Sequence, residues 1–421
     1  MSNETKITAP HWTPARERML MFTLAAIQFT TILDFVIILP LGPNFKDVFN
    51  IVEYQFGYIV SAYGIAAAVT GFAAGFILDR FDRKKALIWL YAGFTIGTLC
   101  CGLSNSYILL VASRALAGAF GGVVGAVILS IVGDVIPMER RGAAMGLVMS
   151  AFSISSIVGV PLGLMLANKF DWHVTFYALA GVSLIILGFA AWVTPALRGH
   201  LEHAREQHPI ERTLAVMTHP DHRKAYVFMA GLTCAGFLVF PYIATYMVAN
   251  VGLTKQQLPW IYLSGGLFTL VSMNLVGRWA DRSGKLKVFT ITSLSTAVPI
   301  LLLTNLPVVS LPVAVACSTL LMICMSARMV PAMAMMTAAV EARDRGGFMS
   351  INSAVQQLAM GLTSIIGGQI LGEGPNKSIT HFPVNGIIAI CCAYGCIYLA
   401  RSLKAPRTAP VAAEPAVVEM S

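Results

Sequence analysis

Apolar residues fall along this chain in long blocks separated by short polar punctuation. The blocks cover residues 19–41, 55–78, 86–103, 107–132, 143–167, 174–193, 225–249, 257–279, 288–306, 310–337, 348–371 and 383–400. A helix needs about 20 apolar residues to cross a bilayer. The pattern therefore predicts twelve membrane-spanning helices, numbered here as spans 1–12. The longest polar interval, Thr194 to Arg223, divides six spans from six. The expected organisation is a segment at 1–18, a six-helix bundle at 19–193, a central loop at 194–223, a second six-helix bundle at 224–401 and a tail at 402–421. The tail is rich in Pro and Ala from Ala405 onward, a composition expected to stay disordered.

Composition agrees with the pattern. The chain is 57% hydrophobic and 12% charged, with mean hydropathy +0.73. Soluble domains carry roughly 25% charged residues, so the fold class is an all-α multi-pass membrane protein. The first apolar run is long enough to span and is not followed by a small-residue cleavage site, so no cleaved signal is expected. All eight cysteines lie in apolar segments, which argues against structural disulfides.

A net charge of +9 could by itself suggest nucleic acid. The distribution of the charge says otherwise. With the amino terminus placed inside, 23 of the 29 Lys and Arg residues fall in inner segments. The outer loops hold only Lys46, Lys169, Lys255 and Lys377. That asymmetry predicts cytoplasmic termini and no nucleic-acid partner.

The two halves repeat. "GFILDRFDRKK" (Gly75–Lys85) follows span 2 and "GRWADRSGKLK" (Gly277–Lys287) follows span 8, with Asp79 matching Asp281 and Arg80 matching Arg282. "RRGAAMG" at Arg140 and "RDRGGFMS" at Arg343 open spans 5 and 11. Repeats of six spans are a transporter signature, with the substrate site near the midplane between them.

The first pair of segments resembles motif A of the major facilitator superfamily, G-x-L-a-D-r-x-G-r-k; Asp82 replaces its Gly, which Gly284 restores in the second copy. "RALAGAFGG" (Arg114–Gly122) resembles motif B, with Ala117 in place of the usual Gln. "VGVPLGLMLANKFDWHVTF" (Val158–Phe176) resembles the antiporter motif C, without its full G-P-x-x-G-G. The resemblance covers residues 19–400 and is to twelve-span drug:proton antiporters and bacterial sugar- and drug-efflux permeases. It implies a bacterial inner-membrane carrier that works as a monomer surrounded by lipid.

The motifs have mechanical readings. A helix amino terminus presents free N–H groups and about half a positive charge. Asp79 could hold the start of span 11 at Gly346-Gly347, and Asp281 the start of span 5 at Gly142. Arg80 and Arg83 could pair with Asp134. Asp79, Arg80, Arg83, Asp134, Asp281 and Arg282 thus form a candidate cytoplasmic gate. Gly159, Pro161 and Gly163 of span 5 permit close helix approach and remove one backbone hydrogen bond, a candidate periplasmic seam.

Of the twenty acids only Asp34 lies mid-span, and Arg114 lies at the same depth in span 4. Burial makes a carboxyl harder to ionise and a neighbouring arginine makes it easier. Asp34 with Arg114 is therefore the candidate proton site, weighed against a structural ion pair that never titrates. Arg328 in span 10 has no acid in its half. It could bind an anionic or carbonyl-bearing substrate, serve as a mobile partner of Asp34, or rest on backbone carbonyls. Candidate substrate contacts are Arg328, Asn352, Gln356, Gln357, Met325 and Tyr242. Met325 belongs to a stripe with Met322, Met329, Met333 and Met336, which is equally well explained as core packing.

His200, His203, His208, His219 and His222 cluster in the central loop, but their spacing matches no standard metal site. No phosphate-binding loop is present. No cofactor, metal or enzyme activity is expected. The expected function is exchange of protons for a small organic compound. The alternatives are a symporter or uniporter for a sugar, nucleoside or lipid-like solute, and a non-transporting receptor or scaffold.

Overall fold

The computed structural model describes residues 13–195, 197, 209–340 and 345–403. Among these, 11 helices are long and apolar enough to cross a membrane. They correspond to spans 1–10 and 12. The helix at span 11, Arg345–Ile370, has 26 residues but falls short of the others in hydropathy. Asn352, Gln356 and Gln357 lie on it, and Asn352 is buried against protein. Such a helix needs less apolar surface because part of it never meets lipid. The segment between spans 11 and 12 adds a small antiparallel ladder, Gly372–Glu373 with Ile379–Thr380.

Several helices end or bend where proline dictates. Span 1 runs Pro14–Ile37 rather than to residue 41. Pro40 cannot donate a helical hydrogen bond, and the chain turns into a short helix, Gly42–Phe49. Span 7 is interrupted by a tight turn at Phe240–Tyr242, which contains Pro241, before resuming as Ile243–Ala249. Span 5 begins at Met138, loosens into a π-turn over Ser155–Gly159 and continues as Val160–Lys169. The widened turn lies directly before Pro161, whose ring and missing N–H disturb the regular ladder.

The helix termini that carry Arg83, Asp134 and Arg282 define a basic end of the molecule. At the far end, one hydrophobic core runs through both halves of the chain: Ile37, Phe45, Phe56 and Trp172 share it with Tyr242, Leu303, Met322 and Phe382. At the basic end the core divides. Leu20, Tyr91, Ile128 and Val193 form one cluster, and Phe228, Phe289, Met336 and Ala400 form another.

Glycines set how closely spans 2 and 11 meet. A Cβ at Gly57 would lie 2.6 Å from the Ser364 carbonyl oxygen, and one at Gly64 would lie 2.8 Å from that of Gln357. Nearer the basic end the same helices part, and a Cβ at Gly75, Gly346 or Gly347 would meet nothing within 4 Å. Polar contacts also join the halves at the far end. Lys255 pairs with Asp47 at 2.6 Å, and Asn168 donates to the Lys255 carbonyl at 3.0 Å.

Candidate functional site

Motif B is a packing strip with an arginine at its head. Gly118 and Gly122 follow Arg114 at intervals of four, so the three share a helix face. Span 2 lies directly on that face. A Cβ at Gly118 would come 2.3 Å from the Tyr63 carbonyl oxygen, and one at Gly122 would come 2.4 Å from the Ala67 side chain. On another side, Gly97 lets span 3 approach to 2.6 Å of the Ala117 nitrogen by the same measure. These two approaches bring Tyr63 and Thr98 to Arg114 and Asp34.

The result is a sealed polar cluster. Arg114 and Asp34 are both fully buried, and an Arg114 terminal nitrogen donates to Asp34 Oδ2 at 2.6 Å. The same nitrogen lies 3.3 Å from the Asp34 carbonyl. Thr98 Oγ1 donates to the other carboxylate oxygen at 3.0 Å. The guanidinium carbon of Arg114 lies 4.6 Å from the centre of the Tyr63 ring. Arg114 Nε and its second terminal nitrogen have no hydrogen-bond partner among the described residues. The tertiary fold thus joins the two residues that the sequence paired by depth, and adds Thr98 and Tyr63. Neither stood out in the sequence, because Thr and Tyr are common in spanning helices. The nearest signal was the four-residue spacing of Gly118 from Arg114.

Arg328 is also buried, at 2% exposure, but its surroundings are poorer. One terminal nitrogen donates to the Leu232 carbonyl of span 7 at 3.5 Å. Nε and the other terminal nitrogen find no partner among the described residues. Asn352 is buried with its Oδ1 likewise unmatched, whereas Gln356 and Gln357 are half-buried.

Two expected substrate contacts, Tyr242 and Met325, lie in the far-end core. Tyr242 is fully buried in the far-end core, and its hydroxyl donates to the Ser364 carbonyl. It packs edge-on against Phe56, in the tight approach between spans 2 and 11. The break at Pro241 turns it into this seam. Met325 belongs to the same core. Met322 is wedged against Gly265 of span 8, so this part of the methionine stripe is packing.

The motif residues occupy the basic end. Arg83 Nε lies 3.5 Å from Asp134 Oδ2. Arg80, Asp281 and Arg282 are exposed, and the side chain of Asp79 lies outside the described residues. The amino terminus of span 5 is not at Gly142. Pro137 starts the helix at Met138, so Gly142 lies inside it and cannot offer Asp281 a free terminus. Gly159 packs on Leu33 and Gly163 on Ile37, which places the span 5 seam against span 1.

A buried ion pair at the far end was also missed. Lys46, expected in an outer loop, lies on the short helix after span 1 and pairs with Glu53 at the start of span 2. In the central loop the His219 and His222 rings lie 4.5 Å apart, and His222 Nδ1 is 2.8 Å from the Val216 carbonyl oxygen. His200, His203 and His208 lie outside the described residues, as do 1–12 and 404–421. No metal-holding cluster occurs among the described residues.

The family model of the Major Facilitator Superfamily matches residues 24–240 and again 225–419. The MFS-type transporter YceJ of Bacillus subtilis is 28% identical over 265 residues, 62% of this chain and 67% of the relative. The inner membrane transport protein YdhP of Escherichia coli is 25% identical over 85% of this chain and 89% of its own length. The multidrug resistance protein fnx1 of Schizosaccharomyces pombe is 26% identical over 55% of this chain, a stretch that spans only 40% of fnx1. Among solved structures, the D-xylose-proton symporter superposes with TM-score 0.75 at 15% identity, over 92% of this chain and 98% of that one. An inward-facing, unoccupied bacterial homologue of the human lysosomal transporter Spinster gives 0.73 at 14% identity, over 93% and 98%. With family matches over nearly all of its length, this chain belongs to the Major Facilitator Superfamily.

Proposed function

We propose that the protein is a proton-coupled secondary transporter of a bacterial inner membrane that exports a small organic compound in exchange for protons. Its halves are residues 19–193 and 224–401, and its basic end is cytoplasmic. In that orientation the undivided core closes the periplasmic side, and the parted helices face the cytoplasm. The observation that carries the reading is the sealed contact of Asp34 with Arg114 and Thr98. Relatives with names such as multidrug resistance protein support an organic substrate.

The cluster is built to survive a change of charge. A buried ion pair is costly to desolvate, and stranding one partner is costlier still. When Asp34 takes up a proton, Arg114 keeps the Asp34 carbonyl and the face of Tyr63. A desolvated cation–π contact is worth about 2 kcal/mol, so the arginine is not abandoned. Proton uptake and release can then alter how spans 1, 2, 3 and 4 pack without unfolding them. Arg328, buried and without a carboxylate partner among the described residues, is the group that meets an acceptor on the substrate. Asn352, Gln356 and Gln357 of span 11 are the further proposed substrate contacts. The motif residues Asp79, Arg80, Arg83, Asp134, Asp281 and Arg282 hold the cytoplasmic side when the periplasmic side opens.

Substrate-dependent proton flux in proteoliposomes tests this directly. Protons and solute moving in opposite directions support exchange. Movement in the same direction makes the protein a symporter, and absence of coupled flux removes transport by this route. Orientation is tested separately with single cysteines in a cysteine-free background. Positions Asn105 and Ser378 are expected to label from the periplasm and Ser283 from the cytoplasm. Reversed labelling ends the assignment of sides.

A further inference from the structure

A groove of about 590 Å³ runs along the outside of the protein between spans 1 and 6. Phe22, Thr23 and Ala26 form one wall, and Leu184 to Ile186, Gly188, Phe189 and Trp192 lie along the other. The residues are apolar and open outward: Trp192 is 69% exposed and Phe22 63%. Thr23 is no exception, because its hydroxyl is spent on the Met19 carbonyl at 2.7 Å. The floor is low because Gly188 has no side chain, and a Cβ there would meet nothing within 4 Å.

The groove has a charged mouth. Leu184 to Trp192 covers nine residues of helix, a rise of about 12 Å, or close to one leaflet's hydrocarbon depth. Trp192 stands one residue from the end of span 6, where indole rings commonly mark the membrane interface. On span 1, Arg18, Phe22 and Ala26 recur every four residues and share one face. Arg18 is therefore one turn beyond Phe22, towards the basic end, on the stripe that forms the groove wall. It is exposed, and its Nε donates to the Pro14 carbonyl at 3.3 Å, which turns the guanidinium back along the helix start. The acid beside it in sequence, Glu17, is already neutralised by a two-pronged contact with Arg140 at 2.8 and 3.0 Å.

An apolar channel of acyl-chain length, ending at an arginine whose neighbouring acid is paired, fits one ligand. We propose that this groove holds one phospholipid with an acidic headgroup, its acyl chain lying over Gly188 between Phe22 and Trp192 and its phosphate facing Arg18. This site is separate from the transport cluster, since Asp34 and Arg114 lie sealed inside the protein and share no residue with the groove. The proposal does not depend on which side of the membrane the basic end faces.

The test uses the full chain reconstituted in vesicles containing phosphatidylglycerol or phosphatidylcholine with brominated acyl chains. Quenching of Trp192 is read as the difference between wild type and Trp192→Phe. A single basic residue at an anionic membrane surface supports a roughly fivefold preference, so brominated phosphatidylglycerol should quench Trp192 at about one fifth the mole fraction that phosphatidylcholine requires. Arg18→Gln should abolish that preference while leaving quenching by phosphatidylcholine. Gly188→Leu, which also improves helix propensity, should fill the groove and reduce quenching by both lipids. Equal quenching by the two lipids in wild type means only ordinary annular lipid and overturns the proposal. So does a preference that survives Arg18→Gln, or quenching unchanged in Gly188→Leu.

Discussion

Arg114 meets a carboxylate at 2.6 Å and an aromatic face at 4.6 Å, whereas Arg328 meets a single carbonyl oxygen at 3.5 Å. Both are buried almost completely. The first is one member of an internally answered set, so its charge is balanced before any ligand arrives. The second, like Arg114, keeps two unmatched nitrogens, but among the described residues it has no carboxylate to balance its charge. Burying a charge without a partner costs several kcal/mol. A transporter gains from such a group only if a ligand completes it. That difference is the basis for proposing Asp34 with Arg114 as the proton site and Arg328 as the solute contact.

The most severe break in this comparison is Asp34→Asn. The amide can still accept from Thr98 but carries no charge to exchange. Substrate-driven proton flux in proteoliposomes is expected to vanish while the protein inserts and purifies normally. Full flux from this variant would show that the acid is structural.

The next largest effect is on stability. Arg114→Ala strands a buried carboxylate and is expected to cost about 3–5 kcal/mol. Arg328→Ala strands no acid, so its loss should be clearly smaller. Denaturant unfolding of both variants in detergent measures the gap. Adding Asp34→Asn to Arg114→Ala should restore part of the loss, because removing both partners leaves no unmatched charge.

Arg328→Ala is expected to weaken substrate binding by about 10- to 100-fold, the range for a hydrogen bond to a charged group. Arg328→Lys should rescue poorly, since an ammonium cannot copy a planar fork. Equilibrium binding to purified protein decides this. Normal affinity together with lost proton coupling would move Arg328 into the proton site.

The smallest effect belongs to the far-end rim. Lys255 and Asp47 are partly exposed, so Lys255→Ala should cost at most about 1 kcal/mol of the closed state. Cysteine accessibility at the far end should rise only slightly. A large increase would mean that the ion pair, rather than the undivided core, holds this side shut.

Much of the fold was legible in the sequence because lipid imposes a strong constraint. Every spanning segment must be helical and mostly apolar to satisfy its backbone, and that writes the spans directly into the residue pattern. Asp34 and Arg114 were legible for the converse reason, since a charge in such a segment is expensive. Arg328 was visible on the same grounds, but its surroundings were not. The surroundings of Tyr242 were not legible because its position depends on the break at Pro241 and on how closely spans 2 and 11 approach. Gly142 was misread as a helix start because the helix is set by Pro137, five residues earlier.

The sequence by itself determined the number and order of the apolar segments, the bias of basic charge to one end, and the few residues too costly to be filler. Those properties follow from each residue's own transfer energy and its neighbours along the chain. Only the tertiary structure decided that Thr98 and Tyr63 join Asp34 and Arg114, and that the core is continuous at one end and divided at the other. Contacts between helices distant in sequence depend on which glycines face which backbone. No single helix carries that information, because its cost or benefit appears only when a second helix is there to fill the space.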